Sequence, residues 1–170
     1  SLGNDMSIPG RSLHCKAMGN YERLIESPVG PLTLRAEDGA LTAILFGDMR
    51  KGLPGGTRVL EQAAAELAEY FEGSRREFTV PVRLTGTDFQ QEVWAALCEI
   101  PYGATATYGD IARRVGRPRA CRAVGMANHR NPVPIIVPCH RVIGSGGALT
   151  GYGGGLAVKS YLLAWEKENL

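Results

Sequence analysis

The 170-residue sequence is poor in the features that mark several common protein classes. It holds only four cysteines, Cys15, Cys98, Cys121 and Cys139. No two of them form a Cys-x-x-Cys pair, and their spacings fit no common zinc module. Four cysteines in a chain of this length do not make a disulfide scaffold, so the thiols read as reduced. His14-Cys15 could lend ligands to a metal, but nothing completes a site, and no metal or cofactor is expected. No apolar run is long enough to span a membrane. The first residues lack the basic start and apolar core of a signal peptide. With reduced thiols, these absences point to the cytoplasm. The glycine-rich stretch 145–155 has no Gly-Lys-Ser/Thr, which excludes a phosphate loop. Overall charge is also unremarkable, at +2.

What the sequence does hold is concentrated. Between Tyr108 and Arg141 stand Arg113, Arg114, Arg117, Arg119, Arg122, Arg130 and Arg141, against Asp110 alone. That stretch is net +6, and the remainder is net −4. Such a field reads either as a polyanion footprint or as a solvated basic surface. At its end lies Ile135-Ile136-Val137-Pro138-Cys139-His140-Arg141. The Ile-Ile-Val run reads as a buried strand or extended segment that Pro138 ends. Cys139 then sits where a rigid apolar element meets a polar corner. A thiolate is the reactive form and free Cys has a pKa of about 8.5, so a nucleophile here needs a base or cation. His140 titrates near working pH. Neighbours on an extended chain face opposite ways, so adjacency does not itself make a Cys–His hydrogen bond. The bland alternative is a buried structural cysteine.

The chain divides near 81–86. Residues 1–19 are aperiodic and rich in Gly, Ser and Asn, and read as a flexible leader or expression remnant. Three strands are expected over 21–26, 31–36 and 40–46, separated by Ser27-Pro28-Val29-Gly30 and Glu37-Asp38-Gly39. A helix over 59–71 closes at Gly73, and a strand over 77–80 follows. Together these make an N-terminal α/β domain over 20–82. In the second domain, 87–170, Thr87 and Gln90 form a capping box ahead of a helix over 88–100. Thr107 caps a short helix over 108–115. The turn Gly116-Arg117-Pro118-Arg119 leads into another helix over 120–128, which gives a helix-turn-helix. The second of these helices is built from small residues, with Arg122 its one long polar side chain near the start. Its backbone can therefore approach something narrow. A final helix spans 156–168.

Pro138-Cys139-His140-Arg141-Val142, Arg122-Ala123-Val124-Gly125, Asn131-Pro132-Val133-Pro134 and Gly151-Tyr152-Gly153-Gly154-Gly155 together resemble the O6-alkylguanine-DNA alkyltransferases. These are the direct-reversal repair proteins also called methylated-DNA–protein-cysteine methyltransferases. The resemblance runs from about Thr87 to Glu166. It implies an α/β plus α fold: a small ribonuclease-H-like domain, then a helical, winged-helix-like helix-turn-helix domain. It implies irreversible, stoichiometric transfer of the alkyl group from O6-alkylguanine, and less readily O4-alkylthymine, to Cys139 after base flipping. The partner implied is double-stranded DNA bound through the minor groove, the protein being a monomer.

The same resemblance distributes roles. Cys139 is the acceptor. His140 takes its proton through a bridging water and Glu166 orients the histidine, although on its residues alone Glu166 reads better as a solvated helix position. Tyr108 contacts guanine N3. Asn131 ties the recognition helix to the active-site turn. Pro134, Val142, Tyr152, Gly153 and Lys159 contact substrate, with glycine at 153 where many relatives carry serine. Arg122 fills the vacated stack, and Ala123, Gly125, Ala127 and Asn128 line the DNA surface. Two rivals remain on the residues alone. A helix-turn-helix regulator with an incidental cysteine would bind duplex without alkyl transfer. A Cys-His hydrolase would turn over acyl substrates, but no oxyanion hole is identifiable.

Overall fold

The computed structural model describes residues 19–170. The leader reading of the first residues and the His14-Cys15 pair lie outside the described residues. Strands β1 (Asn20–Ile25), β2 (Leu32–Glu37) and β3 (Ala40–Phe46) form an antiparallel sheet in that order. Asp38 and Gly39 join β2 to β3 with φ of 54° and 79°. That is the Asp-Gly two-residue turn whose twist matches the flanking strands. Helix α1 (Arg58–Glu72) covers the sheet with Val59, Leu60, Ala63, Leu67 and Tyr70. Thr57 caps its start, and Gly73, at φ 87°, closes it.

The expected strand at 77–80 does not form. The Glu66 carboxylate accepts from Thr79 N at 2.9 Å and Val80 N at 3.1 Å, so a side chain takes the donors a ladder would need. Among the described residues, only a parallel bridge between Leu41 and Val82 continues the sheet.

In the second half, α2 (Asp88–Leu97) begins at the Thr87/Gln90 capping box and stops short of residue 100. Helices α3 (Tyr108–Arg114) and α4 (Cys121–His129) form the helix-turn-helix, and Thr107 and Asp110 make a second capping box. The short strands β4 (Ala106–Thr107) and β5 (Val142–Ile143) pair in parallel, and α5 spans Leu156–Glu168. The Ile-Ile-Val run is not a strand. Val137 N returns to Val133 O at 3.0 Å, and the turn places Ile135 at φ 75°. That backbone region is strained for a β-branched residue, at about 1–3 kcal/mol. Burial of Ile135 and Val137 holds it there. One continuous core joins both halves, so the sequence boundary is not a packing boundary.

Candidate active site

Cys139 opens a single 3-10 turn, Cys139–Arg141. Several bonds hold that turn, among them three around Cys139 and Val137. Cys139 N donates to Val137 O at 2.8 Å, Asn128 Nδ2 to Cys139 O at 3.3 Å, and Asn131 Nδ2 to Val137 O at 2.8 Å. Asn131 Oδ1 also accepts from Val133 N at 3.0 Å. Asn131 thus braces the turn within its own loop, and the direct side-chain link from α4 to Cys139 comes from Asn128. Cys139 borders a cavity of about 270 Å³ whose lining includes Asn128, Asn131, Pro134, Tyr152 and Gly153.

Behind the cysteine lies a fully buried relay. His140 Nε2 meets Glu166 Oε2 at 2.7 Å. The same carboxylate accepts from Arg141 Nε at 2.8 Å, Arg141 Nη2 at 2.9 Å and the Tyr70 hydroxyl at 2.6 Å. Burial alone would raise the Glu166 pKa, but bonds and charge from His140 and Arg141 overcome it and hold the carboxyl well below its usual range. An ionised carboxylate only accepts, so His140 must carry its proton on Nε2. Burial lowers the imidazole pKa, and Glu166 only partly opposes this, so the ring is neutral and Nδ1 is a bare acceptor. Nδ1 is buried without a hydrogen-bond partner among the described residues.

The thiol itself is not activated. Burial pushes Cys139 up to about 11, against weaker help from the Asn131 amide and the Tyr152 hydroxyl that face it. The Tyr152 hydroxyl closes no hydrogen bond of normal geometry among the described residues. In the free protein, Cys139 alkylation by a small haloacetamide should therefore climb about tenfold per pH unit from pH 7 to near 10. Peptide mapping by mass spectrometry reads each cysteine separately. A plateau for Cys139 below pH 9 would show a thiolate already formed.

Lys159 is wholly buried, and burial lowers its pKa. Its Nζ donates to Val142 O at 2.6 Å and Thr150 O at 2.9 Å, which ties α5 to both sides of the glycine-rich loop. Tyr108 lies outside the Cys139 cavity. It lines an adjoining groove with Arg122, Gly125, Met126 and Thr150, and its hydroxyl accepts from Thr150 Oγ1 at 2.9 Å.

Two expected DNA-surface residues turn inward. Ala127 and Asn128 are 2% and 3% exposed, and Ala127 O accepts from Trp94 Nε1 at 2.8 Å. Helical periodicity puts them on the core side of α4, which leaves Arg122, Ala123 and Gly125 outside. The arginine field also divides. Arg141 is buried on Glu166, while Arg113, Arg114 and Arg117 pair with Asp110, Glu99 and Glu92. Arg119, Arg122 and Arg130 are exposed and form no ion pair among the described residues. Tyr70 and Arg141 were not foreseen as site residues. Arg141 carried a signal, since an arginine after an apolar run and a Cys-His pair is badly placed for solvent.

A buried thiol with a histidine–carboxylate relay, set beside a helix-turn-helix, defines a cysteine-based protein on a nucleic-acid-binding scaffold. Comparison with known proteins narrows the class. Residues 20–84 match the 6-O-methylguanine DNA methyltransferase ribonuclease-like domain, and residues 88–168 match the DNA-binding domain of the same family. A methylated-DNA–protein-cysteine methyltransferase of Methanosarcina barkeri is 49% identical over 156 residues, covering 88% of this chain and 99% of that protein. One from Mycobacterium leprae is 47% identical over 163 residues, covering 93% and 94%. The crystal structure of Mycobacterium tuberculosis OGT in complex with DNA superposes with a TM-score of 0.82 at 49% identity, covering 88% of this chain and 94% of that one. The chain belongs to the 6-O-methylguanine DNA methyltransferase family. No helix among the described residues is long and apolar enough to cross a membrane.

Proposed function

We propose that the protein repairs DNA directly, by moving the alkyl group of a flipped O6-alkylguanine onto Cys139. The observation that carries this is Cys139 on a cavity of about 270 Å³, next in the chain to a neutral His140 whose buried Nδ1 has no partner among the described residues. In the reaction a water relays the thiol proton to Nδ1. The Sγ–C bond forms as the C–O6 bond breaks, and the electron pair stays on O6. One proton then neutralises the departing guanine at N3: Tyr108 donates it from the adjoining groove, into which the base must extend, and solvent reprotonates the phenolate. Tyr152 and Asn128 border the cavity with buried polar atoms, the Tyr152 hydroxyl and Asn128 Oδ1, that lack partners among the described residues. Such atoms cost about 1–3 kcal/mol each, which a base edge would recover.

The lesion reaches the cavity only when extruded from the stack. Exposed Arg122 stands at the start of α4 to fill the gap, with Ala123 and Gly125 letting that helix enter the minor groove. Pro134 and Tyr152 wall the base, and Lys159 holds the loop that carries Gly153. The protein acts as a monomer and is consumed, because a thioether has no leaving-group tendency and no disulfide to exchange. O4-alkylthymine is a poorer substrate.

One experiment tests this. Excess duplex carrying O6-methylguanine is titrated against fixed protein, in parallel with free O6-benzylguanine, and intact mass is read. One methyl per protein, with no further repair, is expected. Arg122→Ala should slow the duplex reaction far more than the free-base reaction. Continued turnover would point to a hydrolase, and duplex binding without any mass gain to a regulator. Equal slowing of both substrates would remove the flipping role of Arg122.

A further inference from the structure

The second half of the chain does not close the Cys139 cavity alone. Ile44, Phe46 and Met49, from β3 and the loop after it, complete the lining. Ile44 N donates to Pro132 O at 2.9 Å, which fixes β3 against the segment that carries Pro134. The Phe46 ring meets Tyr152 edge-on, with centroids 5.7 Å apart and planes at 62°. A Cβ on Gly154 would stand 2.9 Å from the Phe46 ring, so the glycine-rich loop lies against Phe46 only because residue 154 has no side chain.

Met49 is anchored differently. Its N–H donates to Thr33 Oγ1 at 2.8 Å and its carbonyl accepts from Arg35 Nη2 at 2.6 Å. The rest of its loop is held by Glu22, 3% exposed, whose Oε2 accepts from Lys51 N at 2.8 Å and Leu53 N at 2.9 Å. The backbone is pinned, while the thioether chain, 53% exposed, stands at the cavity rim. An unbranched Met side chain there can adapt to what it touches.

We propose that Phe46 and Met49 are specificity-determining residues that set the size of alkyl group Cys139 accepts. This deepens the repair reading and rests on it. At about 270 Å³ the cavity falls just below the usual range for small-molecule sites, about 300–1,000 Å³, and it must take a base and its alkyl group together. Displacement at carbon needs the sulfur in line with the breaking C–O6 bond. The substituents on that carbon flatten outward as the Sγ–C bond forms and the C–O6 pair returns to oxygen. A wall beside the carbon therefore presses on a large group more in the transition state than in the bound state, so it acts on rate. Gly153 leaves the wall open at its own position, since a Cβ there would meet nothing within 4 Å.

The test uses duplexes carrying O6-methylguanine or O6-benzylguanine, with the mass gain on Cys139 followed in time. Met49→Ala, at an exposed position, and Phe46→Ala should each raise the benzyl-to-methyl rate ratio by about tenfold, the scale of one or two methylenes in an apolar pocket. Met49→Trp should lower it. Ratios within twofold of the parent in all three variants, with the parent itself taking both groups, would overturn the assignment and leave the repair reading intact. A parent that takes neither group would instead overturn the repair reading.

Discussion

Cys139→Ser is expected to end alkyl transfer, with a loss on the order of a million-fold, the scale seen when a catalytic nucleophile is removed. The serine hydroxyl is far harder to ionise than a thiol, and burial already pushes the native thiol up to about 11. The neutral Nδ1 of His140 can relay a proton from a thiol, but it is a poor match for an alkoxide. The fold should survive, because the turn is held by Asn128 and Asn131 through the backbone oxygens of Cys139 and Val137 rather than through the sulfur. Lesion binding should survive with it. Time-resolved intact mass checks the transfer, and a salt-controlled binding titration checks the duplex. Alkyl appearing on Cys98, Cys121 or Cys15 of this variant at the parent rate would show that another thiol is the acceptor.

The parts of this molecule that could be read in advance are those decided within a few residues. Thr87 with Gln90 and Thr107 before its helix are caps whose partners lie three positions away, and Gly73 ends a helix by its own φ. What could not be read depends on competition at a distance. Residues 77–80 look like a strand until the Glu66 carboxylate takes two of their amides. Ile135-Ile136-Val137 has the same apolar pattern whether it extends or turns, and only the Val133–Val137 bond decides it. Small residues along α4 do not announce which side is buried, so Ala127 and Asn128 looked equivalent to Ala123. Glu166 looked solvated, because its partners lie on elements far away in the chain. Tyr70 reaches it from α1, 96 residues earlier. Histidine geometry in the second half thus depends on a hydroxyl from the first.

Arg141→Met is expected to be the most destabilising single change at the site. The guanidinium donates to both oxygens of Glu166 and, through Nη1, to Ile100 O at 2.7 Å, while lying 5.7 Å from the Tyr102 ring centroid. A methionine fills much of the volume but leaves a wholly buried carboxylate with His140, Tyr70 and Gly103 N as its donors. Removing one partner of a buried ion pair typically costs about 3–5 kcal/mol. Arg141→Lys should recover only part of this, since a point charge cannot serve Glu166 and Ile100 in one planar fork. Urea unfolding with an unchanged m value measures it. The pH dependence supplies a second check. The folded-state pKa of Glu166 lies below its ordinary value of 4.5 in the parent, so the stability it contributes is present above that value and lost as pH falls through the folded pKa. Without Arg141 the depression is smaller. The gap between parent and variant should be widest near neutrality and should narrow as pH falls below about 4.5. A gap under about 1 kcal/mol at pH 7, or one that stays constant from pH 7 to pH 3, would mean that Arg141 does not hold the Glu166 charge.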